Sequence, residues 1–150
     1  MDIVYRKAEP ADAGRIAELF LEMLRTVYHT DEVEGYEDGY LDKFFSEGED
    51  LIYVAEHRTE IVAFLSVEVY REDKYIYLDD FSVTAACRGK GIGTKLIGMA
   101  EGYAASLGVS AVVLHVEKTN EGGHRLYSSL GYSDHEDQGH RILMVKELRK

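Results

Sequence analysis

A strand that runs into a glycine-rich turn and then into a helix constrains the fold of this chain more than any other feature. The strand-like run Lys74–Val83 is followed by glycines at positions 89, 91 and 93, and apolar residues recur at helical spacing from Ile92. Three alternate glycines let backbone N–H groups converge on one point without Cβ atoms in the way. The helix N-terminus adds partial positive charge there, and Arg88 and Lys90 add full charges. The turn is therefore predicted to bind phosphate oxygens.

Two other phosphate-binding loops do not fit this turn. A Walker loop needs a Gly-Lys pair after four intervening residues, but Thr94 stands at that spacing from Gly89. A dinucleotide-binding loop needs a third glycine three residues after the second. That position is Thr94 when the count starts at Gly89, and Leu96 when it starts at Gly91.

The remaining pattern predicts a single α/β domain over residues 1–150, with a mixed sheet flanked by about four helices. In the first half of the chain, the pattern predicts a strand, an amphipathic helix from Pro10 and a short helix around Tyr40–Phe45. An antiparallel meander of three strands is predicted to follow. The second half alternates helix and strand, which predicts a parallel strand pair. The predicted strands are Ile3–Ala8, Leu51–Glu56, Ile61–Tyr70, Lys74–Val83, Ala111–Val116 and Ile142–Glu147, and the two later helices are Ile92–Leu107 and Asn120–Leu130.

Charge and composition argue against several classes of function. Asp and Glu number 28 against 17 Lys and Arg, a net charge of −11 at pH 7, which argues against a nucleic-acid partner. The single cysteine, Cys87, excludes an internal disulfide and fits a reducing compartment. The start of the chain lacks a signal-peptide pattern and no run approaches 18 apolar residues, so we expect a cytoplasmic location and no membrane association. The histidines show no metal-ligand spacing, so no metal is expected.

Two motifs resemble signatures of one enzyme superfamily. Arg88-x-x-Gly91-x-Gly93, after a strand that ends in Phe81-Ser82-Val83, resembles the acyl-CoA pyrophosphate loop of the GNAT superfamily of N-acyltransferases. Asn120 followed by Leu126-Tyr127-x-x-Leu130-Gly131-Tyr132 resembles its second signature, at the expected distance downstream. One departure is Gly122-Gly123 in the first turn of the second helix, where a small residue such as alanine is usual. The pair is expected to weaken that turn by about 1–2 kcal/mol relative to alanines.

The resemblance implies acetyl-CoA as co-substrate and assigns roles in binding it. In this superfamily the strand before the glycine turn separates from its parallel neighbour, here Ala111–Val116, and leaves backbone groups for the pantetheine arm. The N–H of Val83 is implied to polarise the thioester carbonyl, and Asn120 is implied to hold the pantetheine or an adjacent backbone group. The implied donor-binding residues are Phe81, Ser82, Val83, Arg88, Gly89, Lys90, Gly91, Ile92, Gly93, Thr94, Asn120 and Tyr127.

Acyl transfer to an amine needs an acid and a base. By the match, Tyr127 is the implied general acid for the leaving thiolate. Asp79 is the implied base, where polyamine-type members carry a carboxylate. In a regular strand Asp80 points to the opposite face, so only one of the two carboxylates is expected to face the cleft, unless a bulge changes that alternation. His115, five residues before Asn120, is another candidate because an imidazole titrates near neutrality.

The expected acceptor is a small polycationic amine. Nine of the 28 acids fall in residues 31–50. In this superfamily the acceptor usually meets the first helix, the loop after it and the strand end opposite the donor. The expected acceptor residues are Tyr28, Asp31, Asp79, Asp80 and His115. Two alternatives stay open: an acetyltransferase for protein N-termini or lysines, and a non-catalytic acyl-CoA sensor. Because members often dimerise, a homodimer is a further expectation.

Overall fold

The computed structural model describes residues 2–148, and over that range it contains one seven-stranded sheet and three α-helices. The strands are β1 (Val4–Lys7), β2 (Leu51–His57), β3 (Glu60–Tyr70), β4 (Tyr75–Val83), β5 (Ala111–Glu117), β6 (Ser133–Asp137) and β7 (Arg141–Glu147). The helices are α1 (Ala13–Tyr28), α2 (Ile92–Leu107) and α3 (Glu121–Ser129). The strand order is β1-β2-β3-β4-β5-β7-β6, and β4 and β5 form its parallel pair. The predicted mixed sheet is confirmed.

The two long helices cover opposite faces of the sheet, called here the α1 face and the α2 face. On the α1 face, Ile16 and Leu19 of α1 are fully buried in one core with Phe64 of β3. On the α2 face, Leu96 and Ala100 of α2 are fully buried in a second core formed with apolar side chains of β3, β4 and β5. α3 packs on the α2 face as well, because its Leu126 and Tyr127 contact the second core.

β4 and β5 part after only four paired positions. Their parallel register runs from Tyr75 opposite Ala111 to Leu78 opposite Leu114. Beyond that point β4 continues to Val83 and β5 to Glu117. The separation of the parallel pair, expected from the resemblance, is therefore present, and it opens the sheet between the two strand ends.

A β-bulge lies in β4 at the point where the strands part. Leu65 of β3 pairs with Phe81 and Val67 pairs with Leu78, so Asp79 and Asp80 together oppose the single residue Ser66. The hydroxyl of Ser66 accepts a 2.8 Å hydrogen bond from the backbone N–H of Asp80, which occupies a group that the irregular ladder leaves unpaired. The strict alternation of side chains between faces is interrupted at the two aspartates.

Two segments differ from the sequence-based expectation. The helix expected around Tyr40–Phe45 is a 3-10 helix, Tyr40–Phe44, that buries Leu41 and Phe44. β6 has no counterpart among the predicted strands, because all five of its residues, Ser133–Asp137, are exposed. An edge strand without a buried face lacks the apolar alternation on which a strand prediction depends. No helix in the described part of the chain has both the length and the apolar character that a bilayer crossing requires.

Candidate active site

A cleft of about 730 Å³ lies between the separated ends of β4 and β5. It is lined from both faces of the sheet, by α1 on one side and by the glycine turn and α3 on the other. Asp31 and Lys90, both predicted site residues, are exposed and do not line it. The predicted residues that do line it are Tyr28, Asp79, Asp80, Phe81, Ser82, Val83, Arg88, Gly89, Gly91, Ile92, Gly93, Thr94, His115, Asn120 and Tyr127.

The three glycines of the turn are needed for two different reasons. Gly89 and Gly91 have φ values of +75° and +81°, a left-handed conformation in which a Cβ atom is strained. Gly93 has ordinary helical φ, but a Cβ atom there would lie 2.5 Å from Cζ of Phe81. The first two glycines therefore shape the backbone of the turn, and the third lets the ring of Phe81 pack directly against the start of α2.

The turn is attached to α1 by a carboxylate that the sequence motifs did not indicate. Glu22 of α1 accepts hydrogen bonds from Thr84 Oγ1 at 2.9 Å and from the N–H of Ala85 at 3.1 Å. Its Oε2 also lies 3.5 Å from Nη2 of Arg88, whose Nε donates to the carbonyl of Val83 at 2.9 Å. Arg88 is thus held at the end of β4 with its charge partly balanced by Glu22.

The backbone N–H of Val83 points toward the gap between the strands. Thr84 N donates to Val62 O at 2.8 Å, and Val83 stands opposite Ala63 in the antiparallel ladder. Because hydrogen-bonded and non-hydrogen-bonded pairs alternate, the peptide groups of Val83 face away from β3. The side chain of Ser82, in contrast, donates to the carbonyl of Leu19 at 3.1 Å and is committed to α1.

Asn120 caps α3 with its side chain. Its Oδ1 accepts a 3.0 Å hydrogen bond from the N–H of Gly123, which satisfies one of the free donors at the helix start. A Cβ atom at position 123 would lie 2.5 Å from Nδ2 of Asn120. The glycine that departs from the superfamily pattern therefore makes room for the capping amide.

Tyr127 presents a neutral phenol to the cleft from the α2 face. Its ring packs edge-on against Tyr132 at 6.2 Å, and burial raises the pKa of its hydroxyl to about 12. Among residues 2–148, no protein group forms a hydrogen bond with that hydroxyl. At neutral pH it therefore remains protonated and able to donate to a bound group.

Asp79 and Asp80 both lie in the cleft, and both are held by tyrosines on the α1 face. The hydroxyl of Tyr40 donates to Oδ2 of Asp79 at 3.0 Å, and that of Tyr36 donates to Oδ2 of Asp80 at 2.7 Å. The two phenol rings are stacked, with centroids 4.9 Å apart. The expectation that only one carboxylate faces the cleft does not apply, because the bulge interrupts the alternation of the strand.

Burial and neighbouring negative charge raise the pKa of both carboxyls. Burial first, and then the charge of Asp79, raise the pKa of Asp80 to about 6, against the lowering effect of the Tyr36 hydrogen bond. Burial and the charge of Glu68 raise the pKa of Asp79, against the Tyr40 hydrogen bond. A carboxyl whose pKa is raised toward neutrality, as that of Asp80 is, is suited to accept a proton from an ammonium group.

His115 lies one residue beyond the last position at which β5 pairs with β4, and it contacts Tyr77. Its Nδ1 is 2.6 Å from the Tyr77 hydroxyl, and its Nε2 is buried without a hydrogen-bond partner among the described residues. Burial and then the charge of Arg141 lower the pKa of His115. The imidazole is therefore neutral at neutral pH.

Comparison with known proteins identifies the family. Residues 17–132 match the acetyltransferase (GNAT) family. The chain belongs to this family. Among curated proteins, this GNAT acetyltransferase is 29% identical to YhfO, an uncharacterized N-acetyltransferase of Bacillus subtilis, with 93% of this chain and 96% of YhfO covered. It is 28% identical to MJ1530, an uncharacterized N-acetyltransferase of Methanocaldococcus jannaschii, with 97% and 92% covered.

Solved structures share the fold at low sequence identity. The PaiA N-acetyltransferase of Thermoplasma acidophilum, in complex with coenzyme A, gives a TM-score of 0.81 at 19% identity, over 99% of this chain and 100% of that one. YncA of Salmonella typhimurium, a putative acetyltransferase with its cofactor acetyl-CoA, gives a TM-score of 0.79 at 21% identity, over 100% and 96%.

Several residues of this GNAT site were not found by reasoning from sequence. Tyr77 lies two residues before Asp79 in the same strand, and residues at this spacing point to the same face. This spacing could have indicated that Tyr77 belongs to the site. Tyr36 reaches Asp80 from the loop after α1, and Tyr40 reaches Asp79 from the start of the 3-10 helix. Arg141 comes from the first position of β7. None of these three lies in a motif or near the glycine turn in sequence, so no local pattern indicated them.

Proposed function

We propose that this GNAT N-acetyltransferase transfers the acetyl group of acetyl-CoA directly to the primary amine of a small cationic molecule. The observation that carries the proposal is the position of Asp79 and Asp80. Both lie in the cleft on the α1 face, while Tyr127 and the glycine turn border it from the α2 face. An amine and an acyl donor can therefore approach the gap in the sheet from opposite sides.

The proposed donor site is the glycine turn and the separated end of β4. The N–H groups of residues 89–94 and the start of α2 offer donors and partial positive charge to the diphosphate of coenzyme A. The orientation of Val83 supports its role as the donor to the thioester carbonyl, where negative charge develops during attack. The complexes of PaiA with coenzyme A and of YncA with acetyl-CoA support this choice of donor.

The proposed reaction is a direct displacement at the thioester carbonyl. The aspartate pair accepts a proton from the ammonium group, and the nitrogen lone pair then attacks the carbonyl carbon. The carbon–sulfur bond breaks and its electron pair leaves with sulfur. The nitrogen then loses its second proton, and the thiolate gains one to form the thiol of coenzyme A. Tyr127 is the hydrogen-bond donor to that sulfur. A phenol with a pKa of about 12 is a weaker acid than a thiol, so Tyr127 stabilises the leaving sulfur chiefly as a hydrogen-bond donor.

The base is proposed to be the pair rather than one residue. The pKa values of both carboxyls are raised, and the charge of Asp79 contributes to the raised pKa of Asp80. When the pair holds one proton, its remaining negative charge attracts the ammonium group. Coupled carboxylates titrate as a unit, so one proton is shared between them. His115 is held neutral and its Nδ1 is engaged by Tyr77, which favours a supporting role.

A panel of primary amines tests the proposal. Release of free coenzyme A would be measured with wild type, with Asp79→Asn and Asp80→Asn singly and together, and with Asp31→Asn as the matched control. Polycationic amines are the first class to include, given the net charge of −11. Turnover with at least one amine, lost in the double variant and kept in the control, supports the proposal. Binding of acetyl-CoA without coenzyme A release for any amine contradicts it and favours an acyl-CoA sensor.

A further inference from the structure

Arg141, the first residue of β7, lines the cleft from the α1 face. It stands opposite Glu117 of β5, and Leu143 stands opposite His115. Directly opposed residues of an antiparallel pair share a face, and the alternate position Met144 is fully buried in the core of the α2 face. Arg141 therefore lies on the same side of the sheet as the aspartate pair.

The guanidinium of Arg141 has no partner in the described part of the chain. Three arginines in residues 2–148 are half-buried. Arg6 forms an ion pair with Asp12 at 2.8 Å, and Arg15 donates to the carbonyl of Ile61 at 2.9 Å. For Arg141, no carboxylate oxygen lies within 4.0 Å and no hydrogen bond is formed among those residues.

The acid closest in register to Arg141 is engaged elsewhere. Oε1 of Glu117 accepts a hydrogen bond from the Tyr28 hydroxyl at 3.4 Å and lies 3.9 Å from Nε2 of His140. The charge of Arg141 still acts inside the cleft, because it contributes to the lowered pKa of His115 and opposes the raised pKa of Asp79. A half-buried cation without a counter-ion is costly, and a bound anion removes that cost.

The chemistry of the site indicates which anion fits. A guanidinium offers a planar fork of donors that matches a carboxylate with two parallel hydrogen bonds. The phosphates of the donor are proposed at the glycine turn, which begins α2 on the other face. An anion at Arg141 must therefore come from the acceptor.

The geometry points to an acceptor that is an amino acid, with its amine at the aspartate pair and its carboxylate on Arg141. This inference rests on the proposed function: it keeps the transfer of acetyl to a primary amine and requires that the acceptor also carry a carboxylate. A zwitterion then binds with each of its charges next to an opposite one, on Asp79 and Asp80 at one end and on Arg141 at the other. A purely cationic amine leaves Arg141 unpaired and is repelled by it, so the carboxylate supplies specificity as well as affinity.

Matched pairs of amines that differ only in the carboxylate test this inference. Suitable pairs are lysine and cadaverine, ornithine and putrescine, and tyrosine and tyramine, with kcat/KM read from release of coenzyme A. Wild type is expected to prefer the carboxylate-bearing member of an accepted pair by about tenfold or more, the size of a charged hydrogen bond. In Arg141→Gln the preference is lost, mainly through a higher KM, and Arg141→Lys retains part of it. Arg25→Gln, at an exposed position of α1, is the control and keeps the preference.

The possible outcomes separate this inference from the proposed function. Turnover of the decarboxylated amines in preference to the amino acids overturns the carboxylate subsite but leaves the amine acetyltransferase intact. An unchanged preference in Arg141→Gln also overturns it, since another group must then bind the carboxylate. Release of coenzyme A with neither member of any pair overturns the amino-acid inference, and it overturns the proposed function as well when no other amine of the panel is turned over.

Discussion

The phenol of Tyr36 donates a 2.7 Å hydrogen bond to Oδ2 of Asp80, a residue 44 positions further along the chain. The contact joins the loop after α1 to the bulge of β4, and the stacked ring of Tyr40 makes the parallel contact to Asp79. Each hydroxyl favours the ionised form of its carboxylate and opposes the effect of burial. Tyr36 and Tyr40 therefore limit how far burial raises the pKa values of the proposed base.

Removing the Tyr36 hydroxyl is expected to shift the pH profile of the enzyme toward alkaline pH. In Tyr36→Phe the ionised form of Asp80 loses its hydrogen-bond donor, so the pKa of Asp80 rises above its value of about 6. The acidic limb of kcat/KM moves to higher pH, and activity lost near pH 6.5 returns above pH 8. Tyr103→Phe removes a hydroxyl bonded to Glu49, away from the cleft, and serves as the control. An unshifted limb in Tyr36→Phe would exclude Asp80 as the titrating group.

Ionisation of the aspartate pair is expected to lower the stability of the folded protein at neutral pH. The folded-state pKa of Asp80 is raised from 3.8 to about 6, so the penalty of ionising it in the folded protein is absent below pH 3.8 and complete above about pH 6. Asp80→Asn avoids this penalty and can still accept from Tyr36. Its free energy of unfolding at pH 7.5 is expected to exceed that of wild type by about 1–3 kcal/mol.

Denaturant unfolding at two pH values measures this difference. The gain of Asp80→Asn should shrink as the pH falls from 7.5 to 4.5, because the wild-type carboxyl then becomes protonated in the folded state. A variant that is less stable than wild type at pH 7.5 would show that the carboxylate is stabilised rather than strained in its site. Glu34→Gln, on the exposed loop, should change stability little at either pH.

Alanine substitutions separate the roles of the glycines around α2. Gly93→Ala places a Cβ atom 2.5 Å from the ring of Phe81, and an overpacked site of this kind costs about 1–3 kcal/mol. The displaced ring lies at the proposed donor site, so the KM for acetyl-CoA should rise as well. Gly98→Ala, in the same helix with no atom within 4 Å of the new Cβ, is expected to stabilise the protein by about 0.5–1 kcal/mol. Equal unfolding midpoints for the two variants would contradict this assignment.

Local signals explain which parts of the fold and site could be predicted from sequence. The glycine turn and the Asn120 motif each occupy a short stretch of chain, and their residues are brought together by one turn and one helix start. The apolar periodicity of α1 and α2 likewise predicted helices whose buried residues include Ile16, Leu19 and Leu96. Such features depend on residues close together in sequence, so residue composition and spacing are enough to predict them.

The remaining features depend on residues distant in sequence. The bulge that turns both aspartates into the cleft depends on a register shift against Ser66, and nothing in the run Leu78–Phe81 specifies a shift. Arg141 enters the site only because β7 pairs with β5. The acids of residues 31–50 form a strong local charge pattern that predicted Asp31 as an acceptor residue. Asp31 is instead exposed and lies outside the cleft.

Tyr127→Phe is expected to lower kcat by about 100-fold while leaving the affinity for acetyl-CoA nearly unchanged. The hydroxyl has no protein partner among residues 2–148 and faces the cleft, so its loss removes a donor to the leaving sulfur without breaking a contact of the fold. Kinetics with a good amine and binding of acetyl-CoA by calorimetry would measure the two effects. Tyr132→Phe, which removes a hydroxyl bonded to Glu101 at 2.8 Å, is the control and should alter stability more than turnover. Full activity of Tyr127→Phe at every pH would remove Tyr127 from the mechanism.

The net charge of −11 predicts opposite salt dependences for the two substrates. Mobile ions screen the field outside the cleft, with a Debye length of about 30 Å at 0.01 M ionic strength and about 8 Å at 0.15 M. A cationic amine is attracted by this field, so its kcat/KM should fall as salt rises over that range. Acetyl-CoA is a polyanion that the same field repels, so its kcat/KM should stay level or rise. Varying each substrate in turn under saturation with the other measures both slopes. Because Asp31→Asn and Glu34→Gln change only the outer field, they should flatten the amine slope without changing the pH profile. An amine rate that is insensitive to salt would show that the acids of residues 31–50 play no part in its capture.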